Sequence, residues 1–255
     1  MSGIGFHIDG STAVLTLDNA AKLNALTTQM LDALEARVQQ VERDSSLRSL
    51  IVTGAGHKAF CCGADIGAWG DLSPAEFSRH WVRDGHRIFD RLARLGKPTI
   101  AAINGHAFGG GLELASCCDL RLVAPRATLA LPEARVGIVP GWSGTQRLTR
   151  LIPEGAVKEM ALFGRRIGAE RAVELGFAAE VADDPLARAL EMVADIQGLS
   201  PRAVEISKNM IHAAVGEDMQ AVVEALGSAA AAASADRDEG VAAFKEKRNP
   251  QFSGL

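Results

Sequence analysis

Two glutamates set in apolar sequence are this chain's strongest candidates for proton transfer. Glu113 lies in NGHAFGGGLELASCCD (104–119), three residues after Gly110 and among Leu112, Leu114 and Ala115. Glu133 follows Pro132 in LPEARVGIVPGWSGTQRL (131–148), near Ala134, Val136, Ile138 and Val139. Apolar surroundings strip water from a carboxylate and raise its pKa, which suits it to exchange protons near neutrality. Two such groups point to acid/base chemistry on a small molecule. Each also has an ordinary alternative. Glu133 could be a loop acid paired with Arg135 or Arg147, and Glu113 a surface residue on a helix whose glycines only permit close packing.

The glycines beside Glu113 add a second ingredient. A helix starting near Gly109 or Gly110 leaves its first-turn N–H groups unpaired and partly positive, able to hold an oxygen that becomes negative during reaction. Glu113, three residues beyond Gly110, falls on the same helix face. A P-loop is excluded because Leu112 and Glu113 follow Gly111 where a lysine and a hydroxyl residue are needed. GAGHKA (54–59) imitates a dinucleotide fingerprint, but no apolar helical face follows it. GWSGT (141–145) approaches the nucleophile elbow of a serine hydrolase, with Thr145 where the last glycine belongs.

Other reactive side chains read more plainly. Cys61–Cys62 and Cys117–Cys118 match neither zinc pairs nor a disulfide framework, and no base stands near Cys62, so all four are expected to be packed thiols. His80 and His86 are six apart on a helix and do not converge, so no metal is expected. His106 suits a supporting place behind the site.

The elements that must position these groups follow from periodicity. TAVLTL (12–17), SLIVTG (49–54) and PTIAAIN (98–104) read as buried strands. Leu31, Leu34, Val38 and Val41 recur at helical spacing, and Ser73, Pro74 and Glu76 cap a helix running towards Arg94. Strand and helix in alternation imply a mostly parallel sheet in an α/β domain. Beyond about residue 150 the pattern is nearly continuous helix, with Leu186, Leu190, Val193 and Ile196 on one face. An alanine-rich run at 229–233 suits an oligomer interface.

Composition narrows the class. The 255 residues are 47% hydrophobic and 23% charged with a net charge of −4, which argues against disorder and against nucleic-acid binding. No apolar run reaches about eighteen residues and MSGIGFHIDG lacks the features of a leader, so the expected location is cytoplasmic, without membrane association.

Five segments together resemble the crotonase, or enoyl-CoA hydratase/isomerase, superfamily. They are AKLNAL (21–26), KAFCCGADI (58–66), KPTIAAINGHAFGGGLELASCCD (97–119), PEARVGIVPGWSGTQRL (132–148) and EGVAAFKEKRNPQF (239–252). The resemblance implies an α/β crotonase-like spiral of ββα units over 1–195, holding the active and CoA sites. It also implies a C-terminal helical region, 196–255, for oligomerisation and as an active-site lid. In such proteins the thioester carbonyl sits between two backbone N–H groups, matching Ala64 and Gly110, while Glu113 and Glu133 match the glutamates of the family's hydratases. Because the hole is made of backbone, a Gly110 substitution is expected to inform only if bulky.

That pairing implies reversible addition of water across the 2,3 double bond of a 2-enoyl-CoA, Glu113 mainly activating water and Glu133 mainly protonating C2. Double-bond isomerisation and other crotonase-type dehydrations or thioester cleavages remain alternatives, as does a non-catalytic family member, though loss of one or both glutamates would be expected of the last. CoA is expected against Lys22, Leu23, Ala25, Asp65 and Ile66, with Phe244 and Lys247 of the last helix reaching the CoA or a neighbouring site. No cofactor is expected to be permanently bound, since CoA arrives with the substrate. A homo-oligomer, a trimer or a dimer of trimers, is the implied assembly. Two departures stand out. Gly67 occupies a position where hydratases often place a lysine for CoA phosphate, leaving Lys22 or Lys247 to compensate. Trp142, beside Gly141, stands where a small residue is common; its ring either narrows the acyl pocket towards short, flat or aromatic chains or packs outward against the helical part.

Overall fold

The computed structural model describes residues 3–217 and 219–254. The strands are β1 (Gly3–Asp9), β2 (Thr12–Asp18), β3 (Ser49–Gly54), β4 (Ala59–Cys61), β5 (Thr99–Ile103), β6 (His106–Phe108), β7 (Leu120–Val123), β8 (Thr128–Ala130), β9 (Ile167–Gly168) and β10 (Glu180–Val181). They form a large sheet in the order β1-β2-β3-β5-β7-β10 and a small one in the order β4-β6-β8-β9. Strands β1 and β2 make an antiparallel hairpin, β8 and β9 pair antiparallel, and every other pairing is parallel.

The chain visits the two sheets in turn. Each of the pairs β3/β4, β5/β6 and β7/β8 steps from the large sheet to the small one, and helical chain then leads back. This is the spiral of ββα units. Parallel neighbours need such crossovers, and the crossovers bury both sheet faces. Alternate residues of β3 show it: Leu50 and Val52 join the main core, while Ile51 faces the other way beside Val14 and Ile100. Helix Thr28–Arg43 contributes Met30, Leu31, Leu34, Val38 and Val41 to the main core. Helix Pro185–Ala194 covers the opposite face through Ala189 and Val193, with Leu186, Leu190 and Ile196 packed alongside.

The Ser73 cap forms as the spacing predicts. Its hydroxyl accepts from Glu76 N while Glu76 Oε2 accepts from Ser73 N. The continuation is not a regular helix: Pro74–Glu76 passes into a π-helical turn at Phe77–Val82 before helix Arg83–Ala93. The region after residue 150 also differs from continuous helix, because β9 and β10 interrupt it. Two-residue strands leave no alternation to read.

The chain divides into two compact units, Met1–Val204 and Glu205–Leu255. Within the second unit, helices Met219–Ala232 and Ala235–Glu246 precede a tail fixed by Arg248, which pairs with Glu239 at 2.6 Å, and by Asp236, which accepts from Ser253 N. Ile211, Val223 and Phe244 are exposed there. Among the described residues no helix is long and apolar enough to cross a membrane.

Candidate active site

Glu113 is built into helix Gly110–Ala115 and is buried, 3% exposed. Its Oε1 accepts from two backbone amides, Trp142 N at 2.8 Å and Gly144 N at 2.9 Å. The intervening Ser143 turns the chain so that both can point at one oxygen, taking φ 70° and ψ 16°. Gly144 is required by proximity, because a Cβ there would stand 2.6 Å from Glu113 Cγ. Burial pushes the Glu113 pKa up, against the pull of the two amides.

Glu133 opens the short turn Glu133–Val136 and is 9% exposed. Neither alternative partner takes it: Arg135 donates to Gly164 O and Arg147 pairs with Asp90. Its Oε2 is buried without a hydrogen-bond partner among the described residues. Burial, reinforced by the negative charge of Glu113, pushes its pKa up to about 7. Val136 and Ile138 share its cavity wall, but Val139, expected there too, turns outward and is 76% exposed. Gly109 holds φ 51° and ψ −124°, and a Cβ on it would lie 2.7 Å from Glu133 Oε1.

Both carboxylates line one cavity of about 290 Å³, together with Ala64, Gly110, Gly141 and Trp142. Ala64 bridges Leu26 in parallel fashion: Leu26 N donates to Gly63 O and Asp65 N donates to Leu26 O. That pattern turns the amide of Ala64 itself away from Leu26. Gly110 N belongs to the first helical turn, where no intrahelical acceptor exists. A Cβ on Gly63 would lie 3.5 Å from Gly110 N, so the two backbone segments run against each other. The backbone of Ala64 and Gly110 and the two carboxylates thus line one cavity.

A sequence model described as enoyl-CoA hydratase/isomerase matches residues 7–254. The chain belongs to the enoyl-CoA hydratase/isomerase family. It is 35% identical over 246 residues to a short-chain-enoyl-CoA hydratase of Clostridium acetobutylicum, covering 94% of this chain and 93% of that one. It is 36% identical over 248 residues to a crotonyl-CoA hydratase of Syntrophomonas wolfei, covering 94% of each. A crystal structure of an enoyl-CoA hydratase from Bacillus anthracis aligns with a TM-score of 0.81 at 35% identity, covering 99% of both chains.

Against this family, Trp142 is the clearest departure. Its ring stands in the cavity wall. It is 3% exposed, donates from Nε1 to Trp81 O at 3.2 Å and packs on Trp81 and Phe89 with centroids 5.2 and 5.0 Å away. Gly85 and Gly110 leave it room; a Cβ on Gly110 would lie 2.7 Å from Cζ3. A single methyl at residue 110 therefore suffices to disturb the site, contrary to the expectation that only a bulky group would.

Of the residues that the family resemblance assigns to CoA, Lys22, Leu23, Ala25, Asp65 and Ile66 lie on two adjoining segments of the first unit. Lys22 Nζ pairs with Asp65 Oδ2 at 2.7 Å, and Asp65 Oδ1 accepts from Gly67 N, capping the turn Ile66–Ala68. Leu23 takes φ 53° and its carbonyl accepts from Cys62 N, while Ala25 O accepts from Asn19 Nδ2 and Ile66 is exposed. Phe244, 85% exposed, and Lys247, which ends its helix at φ 55°, belong to the second unit. Burial pushes the Cys61 and Cys62 thiols up to about 12 and about 11, which keeps them protonated. His106 bonds through Nδ1 to Thr128 and stacks on Phe108, away from the carboxylates. No metal-ligand cluster occurs among the described residues. Ser143 of the elbow-like GWSGT is 7% exposed, its hydroxyl bonded to His86 Nδ1 at 2.8 Å.

Sequence reasoning missed Gly109 and Gly144 as the glycines that make room for the carboxylates, and missed Trp69, Phe77 and Trp81 on the cavity wall. The spacing of glycines around GWSGT was the available signal for the former. For Phe77 and Trp81 there was none, because a helical pattern does not announce a π turn.

Proposed function

We propose that this chain adds water reversibly across the 2,3 double bond of a 2-enoyl-CoA thioester. The observation that carries the reading is the pair of carboxylates of unequal character facing one cavity that Ala64 and Gly110 also line. The thioester oxygen takes hydrogen bonds from the amides of Ala64 and Gly110 as it gains charge; one such donor is worth on the order of 10²–10³ in rate. Glu113, fixed by two amides, removes a proton from water as the oxygen attacks C3. Glu133, with a pKa of about 7, holds a proton near neutrality and delivers it to C2. Hydroxyl ends on C3 and hydrogen on C2. The proton gained by Glu113 passes back to Glu133 across their shared cavity before the next turnover.

CoA enters as part of the substrate and no cofactor stays bound. Its nucleotide and pantetheine lie along Lys22, Leu23, Ala25, Asp65 and Ile66, with Phe244 and Lys247 reaching the CoA or a neighbouring site. The exposed apolar side chains of the second unit suit burial against further copies of the chain, a trimer or a dimer of trimers. The names of relatives that hydrate crotonyl-CoA and short-chain enoyl-CoA support the same reaction.

Incubation with crotonyl-CoA should bleach the conjugated thioester absorbance. Glu113→Gln and Glu133→Gln should each lower kcat by about 10²–10⁴ with melting temperatures retained. Migration of the double bond without hydration would replace this reading with isomerisation, and full activity in either variant would remove that carboxylate from the mechanism.

A further inference from the structure

We propose that the cavity selects a flat aryl-bearing acyl group, a 3-arylprop-2-enoyl thioester. The inference rests on the hydration reading of the same site and adds its substrate class.

The chain contains three tryptophans and no tyrosine. All three tryptophans, Trp69, Trp81 and Trp142, line the cavity that holds Glu113 and Glu133, and Phe77 joins them. They form two aromatic pairs: Trp69 with Phe77 at 5.4 Å and 61°, and Trp81 with Trp142 at 5.2 Å and 49°. The π-helical turn sets Phe77, Trp81 and Val82 on the cavity wall together. Insertions of this kind recur at functional sites, since they interrupt regular helix bonding. No leucine or methionine among the described residues lines the cavity. The aliphatic side chains that do line it, Ile66, Val82, Val136 and Ile138, are β-branched and stiffer than the methionines that mould themselves round an alkyl chain.

Trp142 cannot swing aside. Its Nε1 is bonded to Trp81 O, Phe89 packs on its ring, and Gly85 and Gly110 fit closely against it. The volume, about 290 Å³, falls at the small end of ligand pockets, which run from about 300 to 1,000 Å³. It must take the thioester, the alkene and the acyl remainder. A long alkyl tail exceeds this volume and must run out past exposed Ile66 or Val136 into solvent, and a methyl group leaves most of the ring surface uncovered. A ring conjugated to the alkene is compact and coplanar with it, and meets the walls in the offset and edge contacts that aromatic groups prefer.

The chain carries its own probe. With every tryptophan on the cavity wall and no tyrosine, intrinsic fluorescence reports occupancy of this site. Three saturated, unreactive thioesters are titrated: 3-phenylpropanoyl-CoA, butanoyl-CoA and dodecanoyl-CoA. The first should bind at least tenfold more tightly than either other. Equal or tighter binding of butanoyl-CoA or dodecanoyl-CoA overturns the inference. Calorimetric titration of Trp81→Leu and Phe77→Leu should show the preference reduced at least fivefold. If Trp81→Leu fails to fold by circular dichroism, Phe77→Leu decides alone, and a preference that survives in the folded variants removes the rings as its source. Hydration of crotonyl-CoA and cinnamoyl-CoA is followed in parallel. Aryl preference in binding with neither thioester hydrated removes the hydratase reading and keeps the pocket assignment. Hydration of crotonyl-CoA without aryl preference does the reverse.

Discussion

Glu113 and Glu133 share a cavity and a residue type, yet the backbone treats them in opposite ways. The first has one oxygen gripped by two main-chain amides; the second has an oxygen buried with no partner among the described residues. Amide donors stabilise a carboxylate, and burial without donors stabilises the neutral acid. Burial raises both pKa values, and on Glu113 two main-chain amides held to one oxygen offset part of that rise, so the two acids sit in unequal settings within one cavity. A glycine lies against each: Gly144 with its first helical-turn amide on Glu113, and Gly109 with its positive φ beside Glu133.

The sharpest way to break this contrast is to add one methyl group to each glycine. In Gly144→Ala the new Cβ meets Glu113 Cγ at 2.6 Å and forces the carboxylate off its two amides. Misplacement of a catalytic group by about 1 Å costs on the order of 10² in rate, so kcat should fall by about that factor, and the crowding and lost hydrogen bonds should cost about 1–3 kcal/mol of stability. In Gly109→Ala the Cβ meets only the terminal Oε1 of Glu133, but φ 51° with ψ −124° is costly for alanine. That variant should lose about 1–3 kcal/mol of stability as well as turnover. Turnover on crotonyl-CoA and chemical denaturation of both variants check the pair; an unimpaired Gly144→Ala would mean that the amide grip is dispensable.

A second comparison uses pH. The pKa of Glu133 in the fold, about 7, lies above its ordinary 4.5, so its protonated form favours the folded state. Its stabilising contribution is complete below about pH 4.5 and is lost as pH rises through about 7. Glu133→Gln, which cannot ionise, should match the parent near pH 4.5 and exceed it in stability at pH 8.5 by up to about 3 kcal/mol. Glu113→Gln should also gain at the higher pH, because burial raises the pKa of its carboxyl against the pull of the two amides. Urea denaturation at the two pH values measures both gains, and no gain for Glu133→Gln at pH 8.5 would show that burial does not hold this carboxyl in its neutral form. Removing the Glu113 charge should also lower the pKa of Glu133, while burial keeps it above the ordinary value.

Sequence pattern revealed the carboxylates, the glycine triplet, the buried runs of β3 and β5 and the Ser73 cap, because each has a local cause. A buried strand needs an unbroken apolar run, and a capped helix needs its hydroxyl and its acid three residues on. The rest depends on contacts between distant segments. How Trp142 would sit in the cavity wall depended on Gly85 and Phe89, which lie on the distant helix Arg83–Ala93. Arg147 could have paired with Glu133 on sequence proximity, but Asp90 claims it. The strands β9 and β10 are two residues each and exist only because β8 and β7 offer them edges.

The smallest expected effect concerns how the grip on Glu113 is itself supported. Ser143 occupies the left-handed region at φ 70°, between the two amide donors, and its hydroxyl bonds to His86 Nδ1 at 2.8 Å across 57 residues of sequence. His86 Nε2 in turn lies 3.4 Å from Asp90, the partner of the buried Arg147. Ser143→Gly relieves the backbone cost and loses one hydrogen bond, so stability should change by less than about 1 kcal/mol. If the bond holds the 142–144 turn in register, kcat should fall about three- to tenfold while the KM for crotonyl-CoA stays constant. His86→Ala should do the same, and the double variant should be no worse than either single one, since both remove the same interaction. Ser143→Asn, which tolerates positive φ and can still reach the imidazole, should recover most of the loss. Losses that multiply in the double variant would show that the two residues act separately, and unchanged kcat in all of them would show that the main chain alone fixes Glu113.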